Sequence, residues 1–191
     1  MQTPQWAPAV VLIDADYLGQ VATDLAAHFS SRIGRTLPPA DLCRWLNCIA
    51  LDSDITPGAN RVQAVFIHKK ESPSLSSFTP SEYAAELNAQ AFKDHIAEFE
   101  LLSYPVEDIV SFHDFFTQSL TTVADTKEAK RVIVVADTAA FGDDIKRISA
   151  NTDEKQFSVF SMQPFEAKDV NAQILGYSLI SALGIKADEL K

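Results

Sequence analysis

Arg131-Val132-Ile133-Val134-Val135-Ala136, followed at once by Asp137, is the stretch that decides the fold. It is short, β-branched and apolar without alternation. A strand buried on both faces of a parallel sheet needs that pattern, whereas a half-exposed strand would alternate apolar with polar residues. Val10-Val11-Leu12-Ile13 repeats it near the start of the chain and also ends on an aspartate, Asp14. Working outward, Val62 to Ile67, Phe99 to Ser103 and Phe157 to Ser161 supply three further strands.

Helical spacing fills the intervals. Leu18, Val21, Ala22, Leu25, Phe29 and Ile33 recur on one face, with Gly34 as the stop. A second helix, opened by Pro38-Pro39, carries Leu42, Trp45, Leu46, Ile49 and Ala50, and the segment from Asp52 to Asn60 reads as a polar loop. A loop rich in Ser and Pro follows Lys69-Lys70. Thr79-Pro80-Ser81-Glu82 then has the form of a capping box, which predicts a helix from Pro80 towards His95. Ser111 is expected to cap a helix bearing Phe112, Phe115, Phe116, Leu120 and Val123. Phe141, Ile145 and Ile148 mark a short helix after Asp137, and Val170 to Leu183 a last one ended by Gly184. Strands alternating with helices predict a three-layer α/β/α sandwich with a mainly parallel sheet of about five strands, all in a single domain spanning residues 1–191.

Composition narrows the function. The chain has 191 residues, 47% of them hydrophobic and 22% charged, enough for a sizeable core. Its 26 acidic against 16 basic residues give a net charge of -10, which disfavours broad contact with a nucleic-acid backbone. RNA is therefore the less favoured partner, and a protein partner or a second copy of the chain is the alternative. Cys43 and Cys48 share one helical stretch without disulfide or metal-ligand spacing. Met1 to Trp6 has neither the basic nor the long apolar region of a leader, and no run reaches membrane-span length. The expected compartment is the cytoplasm, with no membrane partner.

Ligands of open parallel sheets bind beyond the carboxyl ends of the strands. Those ends carry Asp14 and Asp16, Glu107 and Asp108, and Asp137, with Asp114 in the first turn of the helix after the third strand. Carboxylates gathered on one edge repel each other unless a cation neutralises them, and Mg²⁺ is satisfied by one or two carboxylates plus water and a substrate phosphate. Helix capping accounts for the same residues, since Asp is favoured at N-caps and in first turns. Lys69 and Lys70 stand where they could meet a substrate phosphate. His28, His68, His95 and His113 are scattered, no serine lies in a Gly-x-Ser-x-Gly turn, and 6 glycines leave no phosphate loop. Trp45 and the phenylalanines fit helical spacing and read as core.

Three pieces together resemble the NYN domains, a branch of the PIN-like metal-dependent ribonucleases. Val11-Leu12-Ile13-Asp14 looks like that family's first strand and its Asp. Asp108-Ile109-Val110-Ser111-Phe112-His113-Asp114 resembles its pair of acids six apart, and Val132 to Phe141 its strand ending in Ser-Gly-Asp-Ser-Asp-Phe. The resemblance implies a PIN/NYN-like, Rossmann-like topology and a divalent-metal-dependent nuclease site. Asp14, Asp114 and Asp137 would be its catalytic and metal-holding acids, with Asp16 and Asp108 behind them. The chain departs from the pattern at Tyr17, where the family has Asn, and at Thr138 and Ala140, where it has Asp; Asp137 is displaced by one. Mg²⁺ or Mn²⁺ would therefore bind weakly, and the activity implied is a weak ribonuclease or an inactive relative. Asp14-Ala15-Asp16-Tyr17 also resembles the nucleophile motif of haloacid dehalogenase-type phosphatases, with Asp143-Asp144 as the late acids. That second resemblance ranks below the first, beside a non-catalytic protein-interaction domain.

Overall fold

The computed structural model describes residues 5–191; Met1 to Pro4, part of the opening considered above for a leader, lie outside the described residues. Its centre is the pair of apolar runs. β1 (Ala9–Asp14) lies between β3 (Arg61–Lys69) and β7 (Arg131–Val135), parallel to both, with Ile13 level with Phe66 and Val135. β6 (Glu98–Val106) adds to β3, and β8 (Gln156–Ser161) to β7, again parallel. All five expected strands are present.

Two more extend the sheet to seven, and neither was expected. β9 (Val170–Ile174) pairs with β8, and α5 is confined to Leu175–Ala182. The predicted helix from Val170 thus begins five residues late. The predicted helix from Pro80 does not form. In its place are a π-helical turn, Tyr83–Leu87, and β5 (Gln90–Lys93), which runs antiparallel to β6. Glu86 accepts the backbone N–H groups of Ser81 and Glu82, so the capping box is replaced by a carboxylate folded back on its own turn. A second small sheet joins β2 (Ala40–Asp41) to β4 (Phe78–Thr79). Pro38-Pro39 precede β2, and α2 (Leu42–Asp52) is capped by Asp41, which accepts from the N–H of Arg44.

The order across the sheet is β5-β6-β3-β1-β7-β8-β9. Taking the six parallel strands alone, this is the 3-2-1-4-5-6 sequence of doubly wound sheets. The order reverses between β1 and β7, which is where such folds open a crevice.

Alternation along the strands divides the core. Val11, Ile13, Phe66 and Phe99 face α1 (Ala15–Ile33), α2 and α5; Val10, Leu12, Val65 and Val134 face α3 (Phe112–Asp125) and α4 (Thr138–Ala150). Trp45 is fully buried on the first side, its indole N–H donating to Ser178 on α5 at 3.1 Å. Gly34 ends α1 with φ at 72°, a left-handed conformation that costs glycine little, and its N–H reaches Ser30. Cys43 and Cys48 are both free and half-buried.

Candidate functional site

The β1–α1 turn builds the site. Asp14 ends the buried strand and its side chain accepts the N–H of Tyr17 at 3.0 Å, so it caps α1 while remaining only 8% exposed. Burial lifts its carboxyl from the ordinary 3.8 to about 6, against the lowering effect of that backbone donor, and the charge of nearby Asp16 adds to the rise. Asp14 therefore sits at the floor of a cleft of about 720 Å³ with a proton affinity close to neutrality.

Asp16 lines the same cleft with a hydrogen bond on each oxygen. Its two oxygens accept the Lys69 N–H at 2.7 Å and the Ser72 hydroxyl at 2.6 Å, fastening the loop after β3 to the first turn of α1. That loop supplies one wall, through Ser72, Ser74 and Ser76, with Lys69 beside them. Ser76 is packed so closely on α1 that a Cβ at Gly19 would lie 3.2 Å from its Cβ and backbone N. The opposite wall is aromatic. Phe112 and His113 come from α3, and the imidazole of His113 lies flat on Phe141 of α4, centroids 4.9 Å apart and planes 5° from parallel. His113 is held there by Asp144, 3.1 Å from its Nε2, and Asp144 is held in turn by Arg147.

Tyr17, which stands where the NYN pattern has Asn, ties the turn to the end of β8, two strands away. Its hydroxyl accepts the Met162 N–H at 3.0 Å and lies 3.4 Å from the hydroxyl of Ser161. Ser161 in turn accepts the N–H of Thr138 at the start of α4. Below the cleft, the buried Tyr83 stacks on His68 with centroids 3.8 Å apart; burial, with Asp16 and Asp14 nearby, pushes the Tyr83 hydroxyl above its usual range.

The remaining expected residues are placed otherwise. Asp137 caps α4, accepting from the N–H of Ala139 at 2.9 Å, and does not line the cleft. Asp114 is exposed in the first turn of α3, where the Ser111 hydroxyl accepts its backbone N–H. It does not line the cleft either, although its neighbour His113 does. Lys70 turns away to pair with Glu107 at 3.0 Å and Asp108 at 3.6 Å on the surface, so of the lysine pair only Lys69 reaches the cleft. Asp143-Asp144 fall within α4.

The acids thus share one edge of the sheet without converging. Among the described residues, no three His, Cys, Asp or Glu side chains form a group that could hold a metal ion. The donor chemistry agrees: Asp16 has both oxygens engaged, and Asp14 is the cleft's only other carboxylate. The residues present do not fit a hard-cation centre. The serine wall and the His113–Phe141 stack went unread as site residues. The Ser-rich composition of the loop directly after a buried strand was the available signal; the stack had none, since its partners lie 28 positions apart.

The fold and the cleft define a doubly wound α/β domain with its pocket where the strand order reverses. The chain belongs to the DUF6621 family, a family of unknown function whose pattern matches residues 3–190. No curated protein and no solved structure matches it. No helix among the described residues is long and apolar enough to cross a membrane.

Proposed function

We propose that this chain is a NYN/PIN-like domain with a divergent acidic site, an inactive relative of the metal-dependent ribonucleases that uses the Asp14 cleft for binding. The carrying observation is the fate of the acids. Of the three carboxylates that would hold Mg²⁺ or Mn²⁺ in an active relative, Asp14 alone lines the cleft, while Asp137 is spent on a helix cap and Asp114 faces solvent. A metal-activated water and a stabilised leaving oxygen both require ligands that this cleft does not gather. The net charge of -10 further weakens the case for RNA as a substrate. A phosphatase that attacks through Asp14 finds little support, because its acid/base partner Asp16 already has both oxygens hydrogen-bonded.

The test is incubation with single-stranded RNA, and separately with p-nitrophenyl phosphate, in the presence of Mg²⁺ or Mn²⁺. Neither substrate is expected to turn over. Metal-dependent RNA cleavage that disappears in Asp14→Asn would overturn the reading in favour of a nuclease. Loss of phosphomonoester hydrolysis in the same variant would do so in favour of a phosphatase.

A further inference from the structure

A second hollow lies on the α3 face of the sheet and shares no residue with the Asp14 cleft. The crossover from β3 to β6 packs on the opposite face, where Leu75, Phe78, Tyr83 and Leu87 join the α1 side of the core. On the α3 side, α3 alone covers the sheet beyond β1 among the described residues. It leans towards α4, where Phe116 meets Phe141 with ring centroids 4.6 Å apart. A gap of about 300 Å³ is left between α3 and the face of β3 and β6.

The gap has a consistent chemistry. Its deepest lining is Leu12, Val65 and Ile67, each at most 2% exposed, with half-buried Leu102 beside them, all on one face of three adjacent strands. Its wall is the stripe Phe115, Gln118, Ser119 and Thr122, spaced i, i+3, i+4, i+7 along α3 so that all four face one way. The two hydroxyls of that wall are turned back onto their own helix, Ser119 donating to the carbonyl of Phe115 at 2.7 Å and Thr122 to that of Gln118 at 2.9 Å. Their protons are thereby committed, and the hydroxyl oxygens remain acceptors only. One end is closed by Trp6 and by Gln63. The Gln63 amide is saturated, accepting from the N–H of Ala7 and donating to Gln5 and Glu100. Tyr104, 44% exposed, stands at the rim. In a chain of which 22% is charged, no charged side chain among the described residues lines this gap.

We propose that this gap is a binding site for a small, uncharged, largely apolar ligand of about two fused rings, entered beside Tyr104. Charge complementarity selects the class: an ion placed here would lose its water and find no counter-charge. Size selects against anything larger, because about 300 Å³ is the lower end of the range for small-molecule pockets. Among the described residues, the Gln118 amide, the Tyr104 hydroxyl and the Trp6 indole N–H are the polar groups placed to orient a ligand.

The test uses the neutral fluorophore N-phenyl-1-naphthylamine. Of the chain's two tryptophans, Trp6 borders the gap and Trp45 is fully buried in the opposite core, so bound probe should quench Trp6 by energy transfer. The expected result is saturable enhancement of probe fluorescence with a micromolar Kd. Tryptophan quenching should fall strongly in Trp6→Phe, which keeps the pocket wall. Ser119→Trp, which fills the gap from the α3 side, should abolish saturable binding while circular dichroism stays that of the parent. Thr122→Phe, a smaller intrusion on the same wall, is expected to weaken binding at least tenfold and decides the matter if Ser119→Trp does not fold. Non-saturable binding, or equal binding in the filled variants, would overturn the proposal. So would a dimer in sedimentation that excludes the probe, since a second copy would then be what covers the gap.

Discussion

Two turns of this molecule are nearly superposable in conformation and opposite in environment. The β1–α1 turn places Asp14 at φ -72°, ψ 97°; the β7–α4 turn places Asp137 at φ -72°, ψ 110°. Asp14 ends a buried parallel strand, Asp137 follows one by two residues, and each caps the helix that follows. Asp14 is nine-tenths buried at the bottom of a cleft, whereas Asp137 is half-buried and outside it. The backbone motif is shared, so it cannot be what sets Asp14 apart. Burial is, and burial comes from position: the loop after β3 is hydrogen-bonded through Lys69 and Ser72 to Asp16, two residues from Asp14, whereas the loop after β8 meets α4 through Phe165 at Gly142, five residues beyond Asp137.

The largest effect that can test this contrast is on the pH dependence of stability. A rise from 3.8 to about 6 corresponds to about 3 kcal/mol between the two protonation states. Because the folded state prefers the protonated form, Asp14 is harmless below 3.8, its cost grows as pH climbs through about 6, and it is constant above that. Asp14→Asn keeps the cap acceptor and removes the charge. It should raise Tm at pH 8 by up to roughly 6–12 °C and leave it unchanged at pH 3.5, as read by thermal unfolding across that range. An equal gain at both pH values would mean that burial of charge is not what distinguishes Asp14.

A smaller effect probes the tie between the turns. Ser161 is 1% exposed, accepts the N–H of Thr138 and lies beside the Tyr17 hydroxyl, so it belongs to both. Ser161→Ala leaves those groups short of a partner and should cost about 1–3 kcal/mol in denaturant unfolding. Tyr17→Phe should couple to it in a double-mutant cycle; strict additivity would show that the turns are independent. Asp137→Ala removes only a cap and should cost about 1 kcal/mol. The smallest effect expected is that of metal: Mg²⁺ or Mn²⁺ should give no measurable rise in Tm below millimolar concentration, because stabilisation follows RT ln(1 + [L]/Kd). Stabilisation at micromolar metal would show that Asp14 gathers ligands the geometry does not.

The centre of the sheet was legible in the sequence because burial on both faces leaves an unmistakable record: Val10 to Ile13 and Val132 to Val135 admit no polar residue. Its edges were not. Gln90-Ala91-Phe92-Lys93 and Val170-Asn171-Ala172-Gln173-Ile174 have little β character of their own, and their conformation comes from β6 and β8, which offer a ladder to join. The capping-box form of Thr79-Pro80-Ser81-Glu82 gave a helical signal, and the chain meets it with a single π-helical turn over Tyr83–Leu87. The site divides in the same way. Asp14 was readable because it ends a buried run. That Asp16 and Asp137 would be consumed by hydrogen bonds, and that Asp114 would face out, depends on how loops and helices are set against the sheet, which no local pattern encodes.

Those two late strands also bear on how the chain behaves in a crowded solution. β5 is only four residues long, antiparallel and ended by Lys93; β9 is five residues long and passes directly into α5. An open sheet grows by recruiting strands from other molecules along its unpaired rims, and short, charged or abruptly terminated rims are how folded proteins resist it. The outermost ladders here offer a stranger too few groups to hold. The protein is thereby guarded against fibril-like stacking at both flanks, even though its middle is as apolar as an aggregating peptide.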